Sequence, residues 1–330
     1  MHLKKHTTLL STLCLVLLFQ CCQPPKPGIY KNKSIPSGIS SALHSINADL
    51  LAALKANNAD GLELLSSQDF IDDRVQRMHI AEQISIRMRT GNYSLLYEYY
   101  IYNKVPTGMV EIHERDLGIN NFDLKFNRGA KQMYVAFFTA KTAVQKWLIT
   151  AYYYKYDYGW KIGSLELNPY AENGKTAPEL KQYATVLLKK GYRLDASNTA
   201  SLAVNCLRPC ANWKYVDEEA IHSYNGQLLD TLTHYYLTPI IVPDVPTHPR
   251  IWRVTLERTP EGTFPNLNYV STINLLDTVA LKKENNAVCK NIGKVFKGID
   301  KEKKYIYYTI YNKTKKGIPV QDHYDLRQKL

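Results

Sequence analysis

Apolar residues recur at helical spacing in the first part of the chain and at strand spacing in the next. Leu43, Ile46, Leu50 and Leu54 lie three and four apart, which puts them on one side of a helix over Ile39–Asn57 with Ser40 or Ser41 as its cap. Asp60–Leu65 reads as a short second helix. Asp69 or Asp72 opens a third that runs to Thr90, ahead of Gly91, with Val75, Met78, Ile80, Ile84 and Met88 turned largely inward. After Gly91 the period becomes two. Strands are predicted over Tyr93–Val105, Met109–Asp116, Phe122–Asn127, Gln132–Thr139, Val144–Asp157 and Trp160–Leu167, separated by turns rich in Gly, Asn and Pro.

Asn168–Ala177 breaks the strand pattern. Pro178 suits a first helical turn, so Glu179–Lys190, stopped by Gly191, and Ala196–Leu207, opened by Asp195, form a helical hairpin in which Ala196, Ala200 and Ala203 permit close packing. Only one such unit is present, too few for a solenoid, so it is expected to link two domains. Beyond it, Asp217–Tyr236 is predicted helical and a proline-rich crossing follows. Strands are expected at Arg250–Arg258, Asn268–Asn274 and Thr278–Lys282, then a helix over Glu284–Ile299 and a strand over Lys304–Asn312.

The first twenty residues have a different logic. His2, Lys4, Lys5 and His6 precede an apolar run, Leu9–Phe19, which is too short to span a membrane and reads as a secretory signal. No pair of small residues suits ordinary cleavage before Ser34. Leu18-Phe19-Gln20-Cys21 resembles a bacterial lipobox, with Phe19 and Gln20 bulkier than that pattern prefers. The resemblance implies a lipid, palmitate included, on Cys21 as the first mature residue. Residues 21–38, rich in Pro, Lys, Gly and Ser, then read as a tether holding the folded body off the membrane. An aspartate directly after the lipidated cysteine would signal retention in the inner membrane; Cys22 stands there instead, so inner and outer membrane both stay open.

Helices followed by long antiparallel strands, ending in a polar turn, Gly159-Trp160-Lys161-Ile162 and a last alternating strand, resemble the NTF2-like (cystatin-like) superfamily over about residues 39–170. That resemblance implies a curved sheet wrapped around helices as a cone. Its cavity serves isomerases, dehydratases, small-ligand binding or plain protein contacts in that superfamily. Residues 211–330 read as a smaller α+β domain with no recognised family. The expected organisation is therefore a signal over 1–20, a tether over 21–38, an NTF2-like domain over 39–170, a helical hairpin over 171–210 and a C-terminal domain over 211–330.

Charge sharpens this picture. The chain carries 42 Lys+Arg and 30 Asp+Glu, and removing the signal takes the net charge from +12 to +10. Residues 281–330 supply +8 of it. There Lys283, Lys290, Lys294, Lys297 and Lys301 form a stripe beside an apolar one, as in helices that lie on anionic headgroups or as an ordinary solvated face. No nucleic-acid-binding motif is present.

Thirteen of the 25 tyrosines gather in three clusters in or beside predicted strands. Alternation places Tyr152, Tyr154, Tyr156 and Tyr158 on one face, either a contact surface for a sugar, peptide or protein, or half-wet sheet surface. Cys206, Cys210 and Cys289 remain after processing, as free buried thiols or as one disulfide and a leftover thiol. No metal-ligand spacing, cofactor loop or nucleophile motif occurs. If the cone were catalytic, its acid/base candidates would be Asp69, Asp72, Asp73 and His79 on the helices and Tyr97, Tyr99 and Glu111 on strands.

These features point to a cell-envelope lipoprotein with a non-catalytic binding or scaffolding role, its partner an envelope protein or glycan. The alternatives are a small-molecule enzyme using the cone and a membrane-surface binder using the basic helix.

Overall fold

The computed structural model describes residues 25–89, 91–312, 314–315, 318–319 and 322–330. The signal segment and Cys21 lie outside them. The chain is a mixed α+β structure, its sheets largely antiparallel. Its first half runs β1 (Gly28–Lys31), α1 (Ser37–Ala56), α2 (Ala59–Leu65), α3 (Gln68–Asp72), α4 (Arg74–Met88) and then the strands β2 (Tyr93–Tyr102), β3 (Met109–Glu114), β4 (Phe122–Asn127), β5 (Gln132–Ala140), β6 (Lys146–Tyr156) and β7 (Gly159–Ala171). Strands β1, β2, β5, β6 and β7 make one antiparallel sheet in that order.

That sheet is covered on both faces, because its alternating side chains are apolar both ways. Tyr100, Tyr134, Phe138, Ile149 and Tyr153 pack against Leu43, Leu50 and Ile84 of the N-terminal helices. The opposite residues, Tyr99, Ile101, Val135, Phe137 and Tyr152, pack under the β3–β4 hairpin and under α5 (Ala177–Lys189) and α6 (Arg193–Asn205). Helix α5 opens on a capping box, in which the Thr176 N–H donates to Glu179 Oε2 at 2.8 Å. Ala177 and Leu180 of α5 and Leu202 and Ala203 of α6 thus contribute to the first core. A short strand, β8 (Trp213–Tyr215), pairs with β4 and brings Trp213 into the middle of that core. Residues on both sides of the boundary expected at residue 210 thus share this core.

The expected tether is also folded from Gly28 onward. Strand β1 pairs with β2 from Gly28↔Tyr102 to Lys31↔Tyr99, the Lys31 ammonium pairs with the Glu114 carboxylate, and Ile35 is buried. The helix expected from Asp69 or Asp72 to Thr90 is two helices, α3 and α4, broken at Asp73.

Helix α7 (Glu218–Tyr235) lies along α6, with Leu228 against Ala184, Leu187, Ala196 and Ala200. The second half then builds its own sheet from β9 (Ile240–Ile241), β10 (Arg250–Thr259), β11 (Gly262–Val270), β12 (Tyr305–Tyr311) and β15 (Tyr324–Lys329); β13 (Thr314–Lys315) and β14 (Ile318–Pro319) form a separate small hairpin. The order is β15-β12-β11-β10-β9, with β11 and β12 parallel. That parallel pair requires a crossover, supplied by α8 (Thr278–Val295). Its Leu281, Val288 and Ile292 cover Leu267, Tyr269, Ile306, Tyr308 and Ile310 on one face of the sheet. Thr278–Lys282, expected as a strand, forms the first turns of this helix, capped by Asp277 Oδ1 accepting from the Ala280 N–H at 2.9 Å. The two halves are joined by Glu172, which pairs with Arg258 at 3.0 Å and accepts from Thr263 Oγ1 at 2.8 Å. They are joined again by Lys303 and Asp195, 2.7 Å apart and largely buried.

Candidate binding face

Along β10, β11, β12 and β15 every second side chain points away from α8, and the register aligns these residues into rungs. One rung is Arg253, Asn268, Thr309 and Asp325; the next is Thr255, Asn266, Tyr307 and Arg327. The polar groups are tied together across the strands. Asn268 Nδ2 donates to Thr255 Oγ1 at 3.1 Å, Asn266 Nδ2 to Thr309 Oγ1 at 3.2 Å, and Thr309 Oγ1 to Asp325 Oδ1 at 2.9 Å. Tyr305, Tyr307, Tyr311 and His323 supply rings around them, with the Arg327 guanidinium 4.8 Å from the centre of the Tyr305 ring. The result is a groove of about 540 Å³, within the size range of small-ligand sites.

Its groups are able to hydrogen-bond a hydroxylated molecule. Guanidinium groups only donate, the Asp325 and Glu257 carboxylates accept, and the Asn amides and Thr and Tyr hydroxyls do both. Rings present apolar faces beside them. Asn268 is only 3% exposed, so its amide is held at the floor by neighbours rather than floating in solvent. Such an orientation is what a site requires.

A second polar assembly lies between α1 and the first sheet. Tyr153 O–H donates to Asn47 Oδ1 at 2.8 Å, Asn47 Nδ2 donates to Tyr134 Oη at 2.7 Å, and Tyr134 O–H donates to Glu98 Oε2 at 2.7 Å. The chain ends at half-exposed His44, whose Nε2 lies 2.9 Å from Glu98 Oε2, beside a groove of about 470 Å³. Burial, then the Glu98 carboxylate, keep the proton on Tyr134 far beyond the ordinary phenol range. Ser40 Oγ also meets His44 at Nε2, at 3.5 Å. Serine and carboxylate thus share one ring nitrogen, so the imidazole cannot relay a proton between them as a hydrolase triad does.

The acid/base candidates are not brought together. Tyr97 and Tyr99 lie on the other side of the first sheet, Tyr99 donating to Glu114 at 2.9 Å, and Glu111 is exposed on β3, paired with Lys125 at 2.7 Å. Asp69, Asp72, Asp73 and His79 are exposed on the helical side.

Tyr152, Tyr154, Tyr156 and Tyr158 do not make one open face. Tyr152 is 4% exposed and accepts from Asn212 Nδ2 at 2.9 Å. Tyr154 is half-buried with its ring over Gly163. Tyr156, stacked on Tyr158, is also half-buried, and Tyr158 is the most open of the four at 65%. Cys206 and Cys210 are buried free thiols and Cys289 is half-buried and free; burial pushes Cys210 up to about 12, so it is inert as a nucleophile at neutral pH.

The basic stripe divides. Lys283, Lys290 and Lys294 lie exposed on α8, with Lys294 2.7 Å from Asp244. Lys297 and Lys301 follow the helix end, and Lys301 pairs with Asp300 at 2.9 Å. Among the described residues no cluster of His, Cys, Asp and Glu is arranged to hold a metal, and no helix is long and apolar enough to cross a membrane. Comparison with protein-family models, curated proteins and solved structures finds no match for the chain.

Proposed function

We propose that this chain is a lipoprotein anchored in the cell envelope through Cys21, and that it acts there as a non-catalytic binding or scaffolding protein. Its C-terminal sheet receives a hydroxyl-rich ligand of the glycan class. The observation that carries the binding reading is the groove on that sheet. Solvated strand faces are commonly filled with long, independent charged side chains. Here short amides and hydroxyls are hydrogen-bonded to one another across the strands, flanked by rings, two arginines and Glu257. The first half contributes a rigid body of the NTF2-like type. This is supported by helices that precede and pack against one face of a long antiparallel sheet.

Two measurements test the reading. Cys21→Ala should move the protein from the membrane fraction to the soluble one; unchanged fractionation defeats the anchor. Titration of the protein with soluble envelope glycan fragments should give binding that Asn268→Leu with Arg327→Ala abolishes. Absence of binding by the unaltered protein across neutral and acidic glycans defeats the ligand class.

A further inference from the structure

Helix α8 turns a basic stripe to solvent. Leu281, Val288 and Ile292 are buried against the sheet, which leaves Val279, Lys282, Lys283, Asn286 and Lys290 on the opposite side at helical spacing. All five are exposed. The helix has one acidic residue, Glu284, and it faces inward and is buried. Lys294 is neutralised by Asp244, whereas Lys282, Lys283, Lys290 and Lys297 have no ion partner among the described residues. The stripe is therefore an uncompensated line of positive charge, about 16 Å long from Val279 to Lys290 at 1.5 Å per residue.

At its N-terminal end the stripe meets apolar side chains with nothing over them. Leu276 is 89% exposed and Val279 77%. One exposed leucine is unremarkable. Apolar side chains continuous with unpaired lysines are the composition of a surface that enters the headgroup region of a bilayer, the tip among acyl chains and the ammonium groups among phosphates. A polyanion such as nucleic acid would use the lysines and leave the tip in water.

The geometry points to the outer face of α8, with Leu276 and Val279, as a docking surface for anionic phospholipid. The contact is separate from any lipid on Cys21 and does not depend on it. It also fixes an orientation, because α8 covers one face of the C-terminal sheet and the polar groove lies on the other. Docked through α8, the protein holds the groove away from the membrane, open to solvent.

The test uses the chain beginning at Gln23, which keeps every element described above and carries no lipid. It is sedimented with vesicles of phosphatidylcholine alone and with vesicles containing about one-third phosphatidylglycerol. The expected result is binding to the anionic vesicles only, weakening as salt is raised. Each lysine near an anionic surface contributes about fivefold, so K282E/K283E/K290E should lose more than about a hundredfold. L276D/V279D should likewise fail to bind. Both variants should keep the melting transition of the unaltered chain; if the Glu triple melts early, K282Q/K283Q/K290Q repeats the charge test. Failure of the unaltered chain to bind anionic vesicles, or retention of binding by either variant, overturns the proposal.

Discussion

Replacing Trp213 tests whether the segment after the helical hairpin belongs to the first core. The side chain is 1% exposed. Its ring stacks on Phe122 with centroids 3.6 Å apart and meets Phe137 and Tyr215 edge-on at 5.6 and 5.7 Å. Removing a buried Trp to Ala costs about 3–5 kcal/mol in such surroundings, and the lost ring pairs place this site toward the upper part of that range. One term opposes. Trp213 Nε1 is buried without a hydrogen-bond partner, and deleting an unsatisfied donor returns about 1–3 kcal/mol. Trp213→Ala is therefore expected to lose about 3 kcal/mol, whereas Trp213→Phe, which keeps a ring on Phe122 and also deletes the orphan N–H, should change stability by under about 1.5 kcal/mol. Urea unfolding followed by far-ultraviolet circular dichroism measures both. Amide exchange in β4 and β5 shows whether the loss reaches the first half. A loss below about 1 kcal/mol for Trp213→Ala, equal losses for the two variants, or unchanged exchange in β4 and β5 would refute the reasoning.

Three further outcomes are expected. Glu98→Ala removes the acceptor for Tyr134 and should cost about 3 kcal/mol, while Glu98→Gln, still able to accept, should cost about 1 kcal/mol; urea midpoints distinguish them. Burial raises the Glu179 carboxyl, but the Thr176 N–H, Asn120 and the Thr176 hydroxyl outweigh it and hold it below its ordinary value of 4.5. A depressed folded-state value contributes stability above the ordinary value that is lost as pH falls through the folded one. Glu179→Gln should thus cost about 1 kcal/mol at neutral pH, and progressively less as pH falls below the ordinary value of 4.5, by paired thermal melts. Gly163→Ala puts a methyl 2.2 Å from Cε2 of the Tyr154 ring and should cost about 1–3 kcal/mol. Most of that loss should vanish in a Tyr154→Ala background, and a fully additive double variant would show that the ring is not the obstacle.

The strongly periodic segments were legible from the chain alone, because burial on one side writes period 3.6 or period two directly into residue order. Bulges interrupt that legibility. In β2 the register shifts between Leu95 and Tyr97, so Tyr97 and Tyr99 face the hairpin core and Glu98, hidden in a run of tyrosines, faces the helices. Strict alternation from Tyr93 assigns all three to the wrong sides. Short strands were missed for a different reason. Trp213–Tyr215 is three residues long and is a strand only because β4 offers it an edge. Thr278–Lys282 carries a β-branched start that suits a strand, yet tertiary contact through Leu281 and the Asp277 cap make it helical. The binding face was legible only as alternation. Asn266, Asn268, Thr309 and Asp325 come together because α8 carries the chain back to set β12 beside β11, and a parallel pairing across a helix leaves no local mark in the sequence.

The tyrosines show why composition alone cannot locate a contact surface. In β2, β5 and β6, tyrosine is packing material. Tyr99, Tyr100, Tyr134 and Tyr153 are fully buried, and their hydroxyls are used internally where partners are present. In β12 the same alternation divides them, with Tyr308 in the core and Tyr305, Tyr307 and Tyr311 on the groove side. What separates the two outcomes is whether a second layer covers the face. The first sheet is enclosed by helices on one side and by the β3–β4 hairpin, α5, α6 and Trp213 on the other. Among the described residues, the second has α8 on one side only. A sheet covered once must make its remaining face compatible with water, and long charged side chains would suffice for that. Hydrogen-bonding short side chains to one another across four strands goes further, because it spends conformational freedom to hold polar groups in fixed positions. Fixed polar groups lower the cost of binding a partner that matches them, so the second sheet, and not the richer tyrosine cluster of the first, is where the proposed ligand should be sought.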